Sequence, residues 1–324
     1  MAPIVYSTHA LHPRAEAMVR AVAELRIASA LDAGTLAREA EPATIVVVRA
    51  PLPTVLFERA KGLRAAIRHG AGVDMIPIEA ADAAGVLVAN VPGANARSVA
   101  EYVLFAALML TRRFRTIDRD LRGQGWLAGR AHAESAGELF GRTLGLVGFG
   151  AVGRATAAIA GAFGLRVIVA TRRPDTALPA GVEARALDAL MAESDILALC
   201  CPLTAETRGL IDARRLGLMR RSAVLVNVAR GPVADEAALV EALQAGRIAG
   251  AALDVFATQP LPPGHPFFRL DTVMLTPHLA GITGESMERM GVGVAEEVER
   301  ILAGGLPLNF VNPGVAEAYR KRFP

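Results

Sequence analysis

Three side chains able to handle a carboxylate and a proton stand at the ends of short apolar runs. Arg230 follows "AVLVNVA" (223–229), Asp254 lies in "GAALDV" (250–255), and His278 follows "TVMLTP" (272–277). A guanidinium grips a carboxylate through two parallel hydrogen bonds. An imidazole gives or takes a proton near neutral pH. Upstream, "LVGFGAVGRA" (146–155) sets Gly148, Gly150 and Gly153 in the G-x-G-x-x-G spacing, after an apolar run and before a helix-like one. In that context a glycine turn lets the backbone approach a dinucleotide pyrophosphate at a helix N-terminus. Any one of the three side chains alone fits a structural role equally well. Together, at successive strand ends beside a dinucleotide site, they point to hydride transfer on a small acid.

The elements that must position them alternate between short apolar runs and amphipathic stretches, the pattern of a parallel sheet with crossover helices. Strands are expected at "TIVVV" (44–48), "VLVAN" (86–90), "TLGLVGFG" (143–150), "RVIVA" (166–170) and "DILALC" (195–200), and at the three runs named above. "DEAALVEALQAG" opens on Asp235 as a helix N-cap and stops at Gly246. A long helix is expected from "SVAEYVLFAALMLTRRFRTIDRDLR", with Ser98 and Glu101 in capping-box spacing. The glycine turn begins well inside the chain, so an open α/β domain of its own precedes it. The helical stretch 284–305 has the length to return to that first domain and place a cofactor between two lobes. The expected division is residues 1–97 plus 284–324 for one domain and 98–283 for the other.

At 324 residues the chain exceeds one small core, and 52 % hydrophobic residues argue against disorder. A net charge of +3 does not describe a nucleic-acid face. Of 35 basic residues only Lys61 and Lys321 are lysines, so single arginines carry little weight. No apolar run is long enough to span a bilayer, and no basic leader precedes an apolar block at the N-terminus. Cys200 and Cys201 are adjacent, which offers neither a disulfide framework nor a metal-ligand spacing. They read as packing residues of a reduced, cytoplasmic protein, with no metal, membrane or nucleic-acid partner expected.

The second strand of a dinucleotide fold usually ends in an acid that binds the adenosine ribose. Here "VATRRPD" (169–175) puts Thr171 at that position, followed by Arg172 and Arg173. Thr171 removes the repulsion an acid would exert on a 2′-phosphate, and the two arginines supply charge-assisted bonds to it. NADP is therefore expected over NAD, although Asp175 stands close by as a replacement acid.

"LVGFGAVGRA", "CPLTAETRGLI", "VNVARGPVADEAALVEAL", "GAALDVF" and "TPHLAG" resemble the successive motifs of the D-isomer-specific 2-hydroxyacid dehydrogenases. "RHGAGVD" (68–74) and "NARSVAEYVL" (95–104) extend the likeness to roughly residues 45 to 290. The resemblance implies a flavodoxin-like substrate domain with an inserted Rossmann domain, and a homodimer. It implies that Arg230 holds the keto acid's carboxylate and polarises its carbonyl, with His278 as proton donor. It places the backbone amides of Ala71 and Gly72 on the substrate carboxylate and Ala151 and Val152 on the pyrophosphate. Asp254 would contact the nicotinamide amide, while Pro202 and Thr207 would line the coenzyme cleft. Val228, Ala229 and Gly281, within "VNVARG" and "TPHLAG", are counted with the coenzyme-binding residues. Arg49, after "TIVVV", is a candidate for a substrate's distal group. His69 reads as a backbone cap, and Trp126 as a side chain packed in a connecting loop.

One departure stands out. Where most members pair the histidine with a glutamate in "DVF-x-x-E-P", this chain reads "DVFATQP", with Gln259 at the acid's place. A carboxylate beside an imidazole keeps it protonated, whereas an amide orients it without holding the charge. Keto-acid reduction is then expected to favour lower pH than in glutamate-bearing relatives. The reading is NADPH-dependent reduction of a small 2-keto acid, glyoxylate or hydroxypyruvate first, to the D-2-hydroxy acid. Its alternatives are an NAD-dependent D-2-hydroxyacid dehydrogenase of the phosphoglycerate kind, and a non-catalytic dinucleotide sensor on the same fold.

Overall fold

Every named strand is parallel to its neighbours, which fits runs of Val, Ile, Leu and Ala buried on both faces. The computed structural model describes residues 2–172 and 178–323. The chain forms two compact units, residues 1–95 with 282–324 and residues 96–281.

The first unit holds strands β1 (Ile4–Ser7), β2 (Glu24–Ile27), β3 (Ile45–Val48), β4 (Ala65–Arg68) and β5 (Leu87–Asn90), in the order β2-β1-β3-β4-β5. That is the flavodoxin-like arrangement. One face of this sheet is covered jointly by the helices Pro13–Val22 and Gly284–Leu302, whose Ala15, Val19, Val294, Val298 and Ile301 pack with Val5, Ile45 and Ile67. Gly291 allows the two helices to approach, since a Cβ there would lie 2.8 Å from Ala15 Cβ. Thr283 and Ser286 cap the returning helix reciprocally.

The second unit adds β6 (Thr143–Val147), β7 (Arg166–Ala170), β8 (Val182–Ala184), β9 (Ile196–Leu199), β10 (Val224–Asn227), β11 (Gly250–Leu253) and β12 (Val273–Leu275). Their order is β12-β11-β10-β9-β6-β7-β8. The chain winds from β6 towards β7 and β8, then restarts on the other side at β9. The gap between β6 and β9 is thus the switch point at which an open α/β sheet receives its ligand.

Asp235 caps the helix Glu236–Gln244 through the Ala238 amide, as expected. The helix expected from Ser98 begins instead at Ala96, and Ser98 is a buried interior residue of Ala96–Thr111. Ser98 belongs to the face that packs inward, and Glu101 is turned outward onto Arg97, 3.0 Å away. The long helix is also broken. Arg113 adopts a left-handed conformation (φ 53) where the apolar stretch gives way to "RRFR", and a separate helix, Phe114–Gln124, follows. Trp126 opens a short helix, Trp126–Arg130, and is 70 % exposed rather than packed in a loop.

Candidate active site

The glycine turn closes β6 with a conformation that only glycine takes without strain: Gly148 has φ 99. A side chain there would also meet Cys201, with a Cβ 2.8 Å from its amide nitrogen. At Gly153 a Cβ would overlap the Gly148 carbonyl oxygen, so the third glycine lets the helix Ala151–Ala162 sit on its own turn. Gly150, by contrast, faces open space and caps that helix. Two glycines are thus required by the fold and one leaves room for a ligand, at the N-terminus of a 12-residue helix. A dinucleotide pyrophosphate fits such a site. Ala151 and Val152 form the helix's first turn.

On the same edge of the sheet, Asp254 follows β11 and is 2 % exposed. One carboxylate oxygen accepts from the Thr276 hydroxyl (2.6 Å) and the Leu279 amide (2.8 Å). The other accepts from the Ala280 amide at 2.9 Å. Tyr102, from the helix Ala96–Thr111, reaches Thr276 Oγ1 at 2.6 Å, and burial pushes its phenol up to about 12. Asp254 therefore ties down the loop on both sides of His278. That loop needs holding, because His278 has φ 55. Its amide donates to the Asp254 carbonyl (2.8 Å), and its Nδ1 lies 3.1 Å from Gln259 Oε1.

Arg230 leaves β10 through "NVAR". Asn227 holds that turn, its amide group bonding the Arg230 carbonyl and its Oδ1 accepting from Ala229 N. Arg230 Nη1 also donates to the Ala229 carbonyl at 2.7 Å. The next residue, Gly231, lies against the Phe256 and Ala257 backbone, where a Cβ would overlap the Phe256 carbonyl. The arginine loop and the segment leading to Gln259 are thus in direct backbone contact.

A model of the D-isomer specific 2-hydroxyacid dehydrogenase NAD binding domain matches residues 104–280. The chain belongs to this family. A glyoxylate reductase of Korarchaeum cryptofilum is 37 % identical over 278 residues, which is 85 % of this chain and 84 % of the relative. A D-3-phosphoglycerate dehydrogenase of Mycobacterium bovis is 36 % identical over 316 residues, covering 96 % of this chain and 59 % of that longer one. Among solved structures, an NADPH-dependent glyoxylate/hydroxypyruvate reductase of Sinorhizobium meliloti with NADP and malonate matches with a TM-score of 0.84. It is 30 % identical, with 96 % of this chain and 97 % of that one covered.

This 2-hydroxyacid dehydrogenase is an NAD(P)-dependent oxidoreductase, and the fit of the glycine turn agrees with a nicotinamide dinucleotide as its cofactor. Thr171 directly follows β7, and Arg172 is exposed, its Nη1 3.8 Å from Glu206. Arg173, named with them from the sequence, lies outside the described residues, as does Asp175. Pro202 and Thr207 belong to one small loop, in which the buried Thr207 hydroxyl donates to the Pro202 carbonyl at 2.7 Å. Ala229 is buried, while Val228 and Gly281 are half-buried at the ends of their motifs.

The first unit of this dehydrogenase carries its own polar edge after β1, β3, β4 and β5. Arg68 donates to the Gly72, His69 and Val48 carbonyls, and Asn90 to the Ala71 carbonyl. Among the described residues neither the Ala71 nor the Gly72 amide donates to another group. Arg49 donates to the Ala10 carbonyl at 3.1 Å. His69 does not cap a turn through Nε2, which is buried and meets no partner among the described residues. Burial, with the Arg49 cation second, lowers its pKa to about 4.

Sequence reasoning passed over Asn227, Gly231, Tyr102, Thr276, Arg68 and Asn90. The first two lie inside "VNVARG", and their nearness to Arg230 was a usable signal. Tyr102, Thr276 and Asn90 act across distances that no local pattern encodes, whereas Arg68 bonds its neighbours His69 and Gly72 as well as the distant Val48.

Among the described residues no helix is long and apolar enough to cross a membrane, and no His, Cys, Asp or Glu cluster could hold a metal ion.

Proposed function

We propose that this dehydrogenase reduces a small 2-keto acid of the glyoxylate or hydroxypyruvate kind to the D-2-hydroxy acid, taking NADPH in preference to NADH. The observation that carries the reading is the set of bonds around Asp254, which holds His278 on the sheet edge that also presents Arg230 and the glycine turn. The reduced dinucleotide, when bound, supplies the hydride for C2 of the acid. Arg230 binds the carboxylate and draws electron density towards the carbonyl oxygen, and His278 delivers the proton to that oxygen. Gln259 orients the imidazole through Nδ1. In the first unit, the Ala71 and Gly72 amides are proposed donors to a substrate carboxylate, and Arg49 a contact for a distal group.

The NADPH preference is supported by Thr171 at the ribose position and by Arg172, whose long, exposed contact with Glu206 would give way to a phosphate at little cost. The NADPH-dependent Sinorhizobium meliloti relative supports the same choice. A homodimer belongs to the reading as well. Phe105, Phe114, Leu121, Trp126, Leu127 and Phe140 are all substantially exposed between residues 105 and 140 of one unit, a density of apolar surface that favours a protein partner. The two thiols stand free next to each other, in keeping with a reducing cytoplasmic setting.

The test is the initial rate of NADPH and NADH oxidation with glyoxylate and hydroxypyruvate. NADPH is expected to win by about tenfold or more in kcat/KM, a difference of about 1.4 kcal/mol in transition-state stabilisation. Equal rates with the two coenzymes would overturn the preference, and no turnover of either acid would overturn the substrate class.

A further inference from the structure

The loop that follows β4 has its carbonyls taken up within the first unit. Arg68 donates to the His69 carbonyl at 2.7 Å and, through Nε, to the Gly72 carbonyl at 2.9 Å. The Val91 amide donates to the Gly70 carbonyl at 2.9 Å, and Asn90 Nδ2 donates to the Ala71 carbonyl at 2.6 Å. A trans peptide is planar, so its N–H points opposite to its C=O. Capture of the Gly70, Ala71 and Gly72 carbonyls therefore turns the amides of Ala71, Gly72 and Val73 away from the groups that hold those carbonyls. Among the described residues none of these three amides donates to another group. Ala71 is exposed, and Gly72 and Val73 are half-buried. Successive amides presented in this way bind anions. The charge on the same edge agrees, since burial first and then the Arg49 and Arg68 cations lower the pKa of His9 and of His69.

Of the three peptides, only the one between Ala71 and Gly72 has glycine on its amide side. Glycine accepts either sign of φ, so this peptide turns over at little cost unless something holds it. Turned over, it would aim the Ala71 carbonyl where the Gly72 amide had pointed and repel a carboxylate. The bond that opposes this comes from Asn90, which ends β5 and stands opposite Arg68 in the strand register. The Ala71 carbonyl can only accept, so the side chain of Asn90 must face it with its nitrogen. We propose that Asn90 is a positioning residue for the substrate: by holding the Ala71 carbonyl it locks the amides of Ala71, Gly72 and Val73 towards the carboxylate of the 2-keto acid. The inference rests on the reductase reading above and deepens it, adding Val73 as a third donor. Asn90 acts through the peptide group and does not touch the acid, so its effect falls on carboxylate binding and not on the coenzyme.

The experiment compares the full chain with Asn90→Leu, which keeps the size of the side chain and removes its donor. The KM for glyoxylate and the inhibition constant of oxalate are each expected to rise about tenfold or more, with kcat within about threefold of wild type and the Kd for NADPH unchanged. Unchanged values for both acids overturn the inference. An equal loss of NADPH affinity overturns it too, because that marks a general distortion of the chain. Where wild type reduces neither glyoxylate nor hydroxypyruvate, the reductase reading fails, and calorimetric titration of the NADPH-loaded protein with oxalate still decides the inference. Oxalate that binds wild type and Asn90→Leu alike, or neither, overturns it. A second readout needs no variant. In wild type labelled with nitrogen-15 glycine and valine, oxalate is expected to shift the Gly72 and Val73 amide resonances, and unmoved resonances overturn the proposal.

Discussion

Gly231 lies so close to Phe256 that any side chain at position 231 would overlap the Phe256 carbonyl group. The residue after Arg230 is therefore a contact surface for the segment that delivers Gln259. Gly231→Ala must push these two backbones apart, and overpacking of this kind costs about 1–3 kcal/mol. A drop of roughly a hundredfold in kcat/KM with a modest loss in Tm is expected, since a small misplacement at a reacting centre has that effect. Steady-state kinetics beside thermal unfolding separates the two, and an unchanged kcat/KM would remove Gly231 from the account.

Asp254 acts by holding the His278 loop. Asp254→Ala would leave the Leu279 and Ala280 amides without their acceptor, each at about 1–3 kcal/mol where burial excludes water. Asp254→Asn keeps one acceptor oxygen and is expected to fall between wild type and alanine in both Tm and kcat. Tyr102→Phe removes only the outermost bond of the set, so a loss of about 1 kcal/mol in stability with near-normal kcat is expected. Unfolding curves for the three variants check the order.

Coenzyme choice is expected to rest on residues 171 and 172. Thr171→Asp places a carboxylate where a 2′-phosphate would sit, so KM for NADPH should rise about tenfold or more while KM for NADH falls. Arg172→Ala should weaken NADPH alone. Should both variants leave the ratio of the two kcat/KM values untouched, the phosphate site lies elsewhere.

Gln259→Glu is expected to carry the alkaline limb of the keto-acid pH–rate profile upward by about one unit. The sign follows from charge: a carboxylate stabilises the imidazolium, so the proton-donating form persists to higher pH. An unmoved limb would show that position 259 does not set the protonation of His278.

His69 gives a stability prediction. Its pKa in the folded chain is about 4, because of burial and then Arg49, against about 6.5 in an unfolded chain. Between those values the unfolded chain binds more protons, so stability is intact above about pH 6.5 and is lost as pH falls towards 4. The full effect is about 3 kcal/mol. His69→Asn cannot titrate, so the difference in Tm between variant and wild type should shrink with acidification across that window.

The strands around the dinucleotide site were legible because β-branched runs end in glycine or charge. Those missed are informative. β1, "IVYS", has the composition of a strand and was passed over, whereas β2, "ELRI", has only Leu25 buried, β4, "AAIR", has Ile67 as its one β-branched residue, and β8 is three residues at a sheet edge. The last three lack the run of β-branched and aromatic residues from which a strand is inferred. The helix start at Ala96 was misplaced because Ser98 and Glu101 mimic a capping box. Burial of Ser98 on the inward face overrode that local signal. At the site, Arg230 and His278 were named from type and position and Gln259 from the family resemblance, and the structure sets Gln259 against His278. That Asp254 turns inward to hold a loop was not, because its partners Thr276, Leu279 and Ala280 come from a later strand end.

The helix Gly284–Leu302 completes a core begun by Val5, Ala15 and Val19. Asn312 adds a seam, its side chain bonding the Val88 amide of β5 and the carbonyl of Val86 just before that strand. During synthesis the first unit must therefore wait, with its apolar sheet face covered only by the helix Pro13–Val22, while residues 96–281 leave the ribosome and fold around their own core. Such a chain passes through a half-finished state with an adhesive surface. Premature termination shortly before residue 284 would leave that state permanent, with an intact inserted unit attached to an unfinished one.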